Sequence, residues 1–187
     1  TLGQDSKEKS IKAFGIGIAG VFVFMILFYR LSGIVADIAL LLYVMMLLLA
    51  MRYLGATLTL PGIAGIILSI GMAVDANVLI FERFKEEIRR GKTLRSAMDA
   101  GFGRAFVTIF DSNVTTLMAA AILFYLGTGP IKGFAVTLAL GVLLSMFTAI
   151  TVTKYLLRFL IYSRFTQNPW IFGVAAPKAD TAKEVSK

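Results

Sequence analysis

Five stretches of this chain, 13–29, 33–51, 58–81, 105–126 and 134–157, are apolar over nearly the length a bilayer demands. A spanning helix needs about 20 mostly apolar residues. In hydrocarbon only a segment that satisfies its own backbone hydrogen bonds is tolerated, so five such runs predict an all-α, polytopic transmembrane bundle. Composition agrees. Hydrophobic residues make up 58% of the chain and charged residues 16%, whereas soluble domains average roughly 45–50% apolar and 25% charged.

The sequence contains no cysteine and no histidine. Disulfides, thiolate metal sites, Ser-His triads and histidine proton shuttles are therefore excluded within it, and any protonation work falls to Asp or Glu. No nucleophile–base pair and no metal-ligand cluster stands out, so we expect neither an enzyme nor a cofactor. The net charge of +8 does not require nucleic acid, because the basic residues lie between apolar runs and orient the chain in a membrane.

The one long polar connection is "ERFKEEIRRGKTLRSAMDAGFGR", 82–104. Its apolar positions Phe84, Ile88, Leu94, Ala97 and Met98 predict one or two short amphipathic helices broken near Gly91. Arg83, Lys85, Arg89, Arg90, Lys92, Arg95 and Arg104 place this loop in the cytoplasm. The tail, with Arg158, Arg164 and Lys178, falls on the same side, and the charge-poor turns near 52–57 and 127–132 face outward. Residues 1–164 form the expected membrane domain and 165–187 a polar, flexible tail. Five helices with an inner C-terminus put Lys7, Lys9 and Lys12 outside, mildly against the positive-inside rule. With Thr1 no initiator and no signal peptide present, we expect a longer parent with at least one more helix upstream, together with an outer domain.

Polar residues inside the spans carry the functional argument. In "SIGMAVDANVLIF", 69–81, a carboxylate and an amide interrupt an apolar helix. Asp75 stands seven residues before Glu82, and Asp111 seven after Arg104, so each lies about 10 Å into its helix at roughly 1.5 Å per residue. Two antiparallel helices joined by one loop thus carry carboxylates at matched depth. An intramembrane Asp costs about 2.5–3.5 kcal/mol on insertion scales, which favours a proton or ion pathway over a structural pair of protonated carboxyls. Thr108, Asp111, Ser112, Thr115, Thr116, Ala119 and Ala120 make one polar-to-small stripe, suited to close helix contact. Asn77 lies about 200° round the helix from Asp75, so the two serve different neighbours: Asn77 as packing glue, Asp75 as the titrating group. A desolvated Asp75 would titrate nearer neutral pH. Asp37 is read as structural, facing headgroups or the positive helix end. Pro61-Gly62 suits a first helical turn. The glycines of "GIGIAG" (15–20) and "GTGPIKGF" (127–134) mark packing and a turn, not phosphate loops.

Taken together, "GATLTLPGIAGIILSIGMAVDANVLIFERFKEEIRRGKT", "AMDAGF", "FDSNVTTL" and "GTGPIKGFAVTLALGVLLSMFTAI" resemble the SecD family of accessory subunits of the bacterial Sec export machinery. The resemblance runs from about Leu2 to Leu160 and covers the last five helices of a six-helix membrane domain. "DANVLIFER" is closer to SecD than to the sister subunit SecF, and both are similar to proton-driven RND transporters. It implies that Asp75 is a protonatable group of a proton pathway, and that Asp111, Asn113, Thr115 and Thr116 line or support it. It further implies SecF-like and SecYEG partners, a translocating preprotein as cargo, and a multi-pass place in the bacterial inner membrane among its lipids. The proton gradient would supply the energy and an outer domain the moving part. Tyr43 departs from the asparagine often found there in the family. Two other readings stay open: an RND-type small-molecule or lipid exporter, and a structural scaffold without proton coupling.

Overall fold

The computed structural model describes residues 2–55, 59–162 and 169–172, and all of the regular structure in them is helical. Most of the tail, including Arg164 and Lys178, lies outside the described residues, as do 56–58 of the turn after the second helix. The helices are α1 (Leu2–Tyr29), α2 (Leu31–Tyr53), α3 (Leu60–Arg89), α4 (Leu94–Leu126), α5 (Gly129–Phe147) and α6 (Thr153–Tyr162). A π-helical turn, Thr148–Val152, joins α5 to α6 into one rod. Four described helices, α2, α3, α4 and the α5–α6 rod, are long and apolar enough to cross a bilayer, and α1 adds the apolar segment Gly15–Tyr29.

Local chemistry sets the helix ends. The Thr59 side chain accepts a hydrogen bond from the Gly62 amide at 3.2 Å, and Pro61 occupies the first turn, where its missing N–H costs nothing. Thr93 caps α4 through the Ser96 amide at 3.4 Å. α1 and α2 are joined by Arg30 alone, which takes a left-handed φ of 50° to reverse the chain.

The polar loop is absorbed into the helices flanking it. With 30 residues, α3 is about 45 Å long at roughly 1.5 Å per residue, well beyond the ~30 Å of a bilayer core. Its last turns and the first turns of α4 project from the membrane as a helical hairpin that turns at Gly91, φ +86°. Phe84, Ile88, Ala97 and Met98, expected on an amphipathic face, are buried between the two arms. The arms meet closely because Gly101 sits against the backbone of Phe84, where a Cβ would lie 2.8 Å from the Phe84 nitrogen. One turn of the expected flexible tail is folded here: Phe172, in the 3₁₀ turn Pro169–Phe172, is fully buried and meets the Phe84 ring edge-on at 5.5 Å.

α3 is the central helix, packed on α5 along one side and α4 along another, with the α1–α2 hairpin completing the bundle. At the α3–α5 crossing Gly141 abuts the Ser69 side chain, and the fully buried Tyr43 of α2 donates its hydroxyl proton to Ser69 Oγ at 2.8 Å. Ser69 in turn donates to the Ile66 carbonyl at 2.8 Å. The hydroxyl chain thus ties α2 to α3, and α5 packs against it at Gly141.

α4 is peripheral. Only 17% of its most apolar stretch is buried, against 44–50% for α2, α3 and the α5–α6 rod.

Candidate functional site

The face that α4 turns inward is Phe102, Ala105, Ile109, Asn113 and Ala120. The polar-to-small stripe read from the sequence therefore does not form the internal contact. Thr108, Asp111, Ser112, Thr115 and Ala119 are exposed, and Thr116 is half-buried. A helical wheel identifies a polar face but not what the face meets. Here Ile109, counted outside the stripe, belongs to the core.

Between α3 and α4 lies a half-open cleft of about 230 Å³. Met72, Asp75, Ala76 and Leu79 of α3 form one wall, and Ile109, Ser112, Asn113 and Thr116 of α4 the other. The cleft brings Asp75 together with Ser112, Asn113 and Thr116. Asp111, Thr108 and Thr115 are not in its lining; they sit beside it on the outer surface of α4. Asp75 is itself exposed. The bundle itself therefore does not enclose Asp75: the shallow seating of α4 leaves the carboxylate open to whatever lies outside.

The hydroxyl protons around the cleft are already committed. Ser112 donates to the Ile109 carbonyl at 3.0 Å, Thr115 to the Asp111 carbonyl at 3.1 Å, and Thr116 to the Ser112 carbonyl at 3.0 Å. Back-bonded hydroxyls present oxygen lone pairs outward. With two carboxylates added, the cleft and the face beside it are rich in acceptors. Such a surface takes up donors: water, a hydrated proton, or a cationic side chain.

Asn77 faces elsewhere. It is 4% exposed, and its Oδ1 accepts a hydrogen bond from the Thr153 hydroxyl of α6 at 2.9 Å. Thr153 follows directly on the π turn, a departure from helical geometry that recurs at functional sites. Asp37 does not face headgroups: it is 8% exposed, and neither carboxylate oxygen has a hydrogen-bond partner among the described residues.

Sequence reading missed Glu87. Its carboxylate is fully buried in the projecting hairpin, with Oε1 2.7 Å from Arg104 and 3.1 Å from Arg90, and Oε2 2.6 Å from Lys92. The Lys92 ammonium, supported by Arg104 and Arg90, holds this carboxyl below the ordinary glutamate range against the desolvation that raises it. The i+3 pairing with Arg90 is visible in "EEIRRGK", but Arg104 joins from the other arm and no local spacing announces it. This hub fixes how α3 and α4 enter the membrane side by side, and hence how Asp75 meets Ser112 and Asn113. No group of three or more metal-ligating side chains occurs among the described residues.

Three comparisons bear on what such a bundle is. Residues 1–163 match the family model described as protein export membrane protein SecD/SecF, C-terminal. The protein translocase subunit SecD of Acidaminococcus fermentans is 74% identical over 185 residues, covering 98% of this chain and 44% of that protein. The SecD subunit of Synechocystis is 57% identical over 174 residues, covering 92% of this chain and 37% of the relative. This chain therefore spans less than half the length of these relatives. Among solved structures, SecDF of Thermus thermophilus, a translocon-associated membrane protein, superposes with a TM-score of 0.83 at 46% identity, covering 86% of this chain and 22% of that one. A structure of SecDF in a super-membrane-facing form gives 0.81 at the same identity. Matched over most of its length in sequence and in fold, the chain belongs to the SecD/SecF family of protein-export membrane proteins, in its C-terminal membrane domain.

Proposed function

We propose that this chain is the membrane part of a SecD subunit that uses the proton-motive force to assist preprotein translocation beside a SecYEG channel, with an RND-like use of intramembrane carboxylates. The observation that carries the reading is the open cleft at Asp75, continuous with the exposed Asp111 face. A carboxylate and a row of hydroxyls facing lipid would be costly, so a second protein covers them, and a SecF-like subunit is the natural candidate. The similarity of this chain to solved SecDF structures supports that choice. No cofactor is needed beyond the ion gradient.

Asp75 would be charged when paired with a donor from the partner or with water, and neutral once protonated. Losing the charge changes which packing of α3 and α4 on the partner is favoured, and the gradient makes the resulting population shift directional. Asp111 would extend the same path, while Asn77, through Thr153, keeps α3 fixed on α6 as its other face changes partners. The bundle would lie in the bacterial inner membrane with the Glu87 hairpin and the C-terminus in the cytoplasm.

The test is Asp75→Asn in the complete subunit, reconstituted with its translocation partners, following late export of a preprotein with and without an imposed proton gradient. The expected result is loss of the gradient-stimulated part alone, at unchanged protein level. A full gradient response in the variant would make Asp75 a structural carboxyl and favour the scaffold reading.

A further inference from the structure

We propose that the outward face of α6, together with the first turns of α4, binds the headgroup of an anionic phospholipid at the hairpin-bearing end of the bundle. α6 divides cleanly. Thr153, Leu157 and Ile161 are buried on one side, while Lys154, Tyr155, Arg158, Phe159 and Tyr162 share the other. Tyr155 is 67%, Phe159 78% and Tyr162 52% exposed. The lipid-facing surface of α2 is instead aliphatic, with Leu41, Leu48 and Leu49.

Cations converge on this aromatic face from two helices. The Arg95 guanidinium of α4 lies 4.1 Å from the centre of the Tyr162 ring and that of Arg158 5.6 Å from it, while Lys154 Nζ lies 5.9 Å from the Phe102 ring. The hairpin's charges are arranged differently. Arg83, Lys85, Arg90, Lys92 and Arg104 all reach Glu82, Glu86 or Glu87 within 3.2 Å. Among the described residues no such ion pair is formed by Arg95, Lys154 or Arg158. Asp99 shares a cleft with Lys154 and also acts on Arg158, so one carboxylate stands against three cations.

Depth selects the occupant. α3 and α6 run parallel, and the Thr153–Asn77 hydrogen bond sets their register. Lys154 therefore starts level with about Val78, inside the hydrocarbon edge, and its ammonium reaches towards the hairpin end beside Phe102. Arg158, five residues beyond Thr153, is level with Glu82, where the polar hairpin begins. One cation snorkelling up and another at the boundary bracket the height of a lipid phosphate, while Tyr155 and Phe159 offer ring faces at the interface. A soluble acidic partner would not need that placement.

The test uses the complete subunit with its partners, extracted from bilayers of equal parts phosphatidylglycerol and phosphatidylcholine. Lipids retained by the protein are then counted by native mass spectrometry. Phosphatidylglycerol should be retained in preference, with retention falling about fivefold for each cation neutralised in the R95Q, K154Q and R158Q series. The charge-preserving R95K/K154R/R158K variant and Arg52→Gln, at the far end of α2, should both keep it. Equal retention by the neutralised variants, no preference over phosphatidylcholine, or equal loss in the charge-preserving variant would overturn the proposal.

Discussion

Two charged regions of this molecule, about three helical turns apart along α3, are built on opposite plans. In the projecting hairpin Glu87 is buried and three cations close on it, while Phe84 fills the space between the arms. Below it, Asp75 at the cleft and Asp111 on the face beside it are exposed, and the neighbouring hydroxyls have spent their protons on their own helix. The hairpin is complete within the chain. The cleft is open at the bundle surface, and on the proposed reading the difference separates a group that holds the fold from one that meets a partner.

The comparison can be broken by substitution. Phe84→Ala empties a fully buried site in the hairpin and should cost about 3–5 kcal/mol, read as a lower unfolding midpoint of the solubilised protein. Thr153→Val strips the buried Asn77 Oδ1 of its donor and should cost about 1–3 kcal/mol. Lowering pH tests the Glu87 hub. Its carboxyl titrates below the ordinary glutamate range in the folded chain, so its contribution is fully present above that range and is lost as pH falls through the folded value. Protease cleavage near Gly91 should therefore rise on acidification well below neutrality, and Glu87→Gln should abolish that rise. The smallest effect belongs to the cleft and the face beside it: in the isolated, detergent-solubilised subunit with these positions in contact with water, Asp75→Asn and Asp111→Asn should each change stability by less than about 0.5 kcal/mol. A cost above 1.4 kcal/mol, tenfold in the folding equilibrium, would mean the cleft is structural and the contrast false.

Much of the bundle was legible in the sequence because lipid imposes simple rules. Apolar runs gave the spans, Pro61-Gly62 a helix start, and Gly91 the hairpin turn, now seen with its positive φ. The placements of Asp75 and Asn77 on different faces followed from helical geometry alone. What the sequence hid depends on tertiary partners. Arg104 reaches Glu87 across the hairpin, Tyr43 finds Ser69 across two helices, and Asp37 is buried where a position near a helix start suggested headgroups. The stripe on α4 misled most, since small and polar residues at helical spacing look alike whether they meet the same chain or another one.

The absence of native cysteine makes the central claim directly measurable. Thr108→Cys, on the exposed face beside the cleft, would be labelled with a membrane-permeant maleimide in the complete subunit alone and again after assembly with its SecF-like partner. The account predicts rapid labelling alone and strong protection in the complex, with a control cysteine at the lipid-facing Leu48 unchanged by assembly. Equal labelling of Thr108→Cys in both states would contradict it, leaving the polar face of α4 without the covering protein proposed for it.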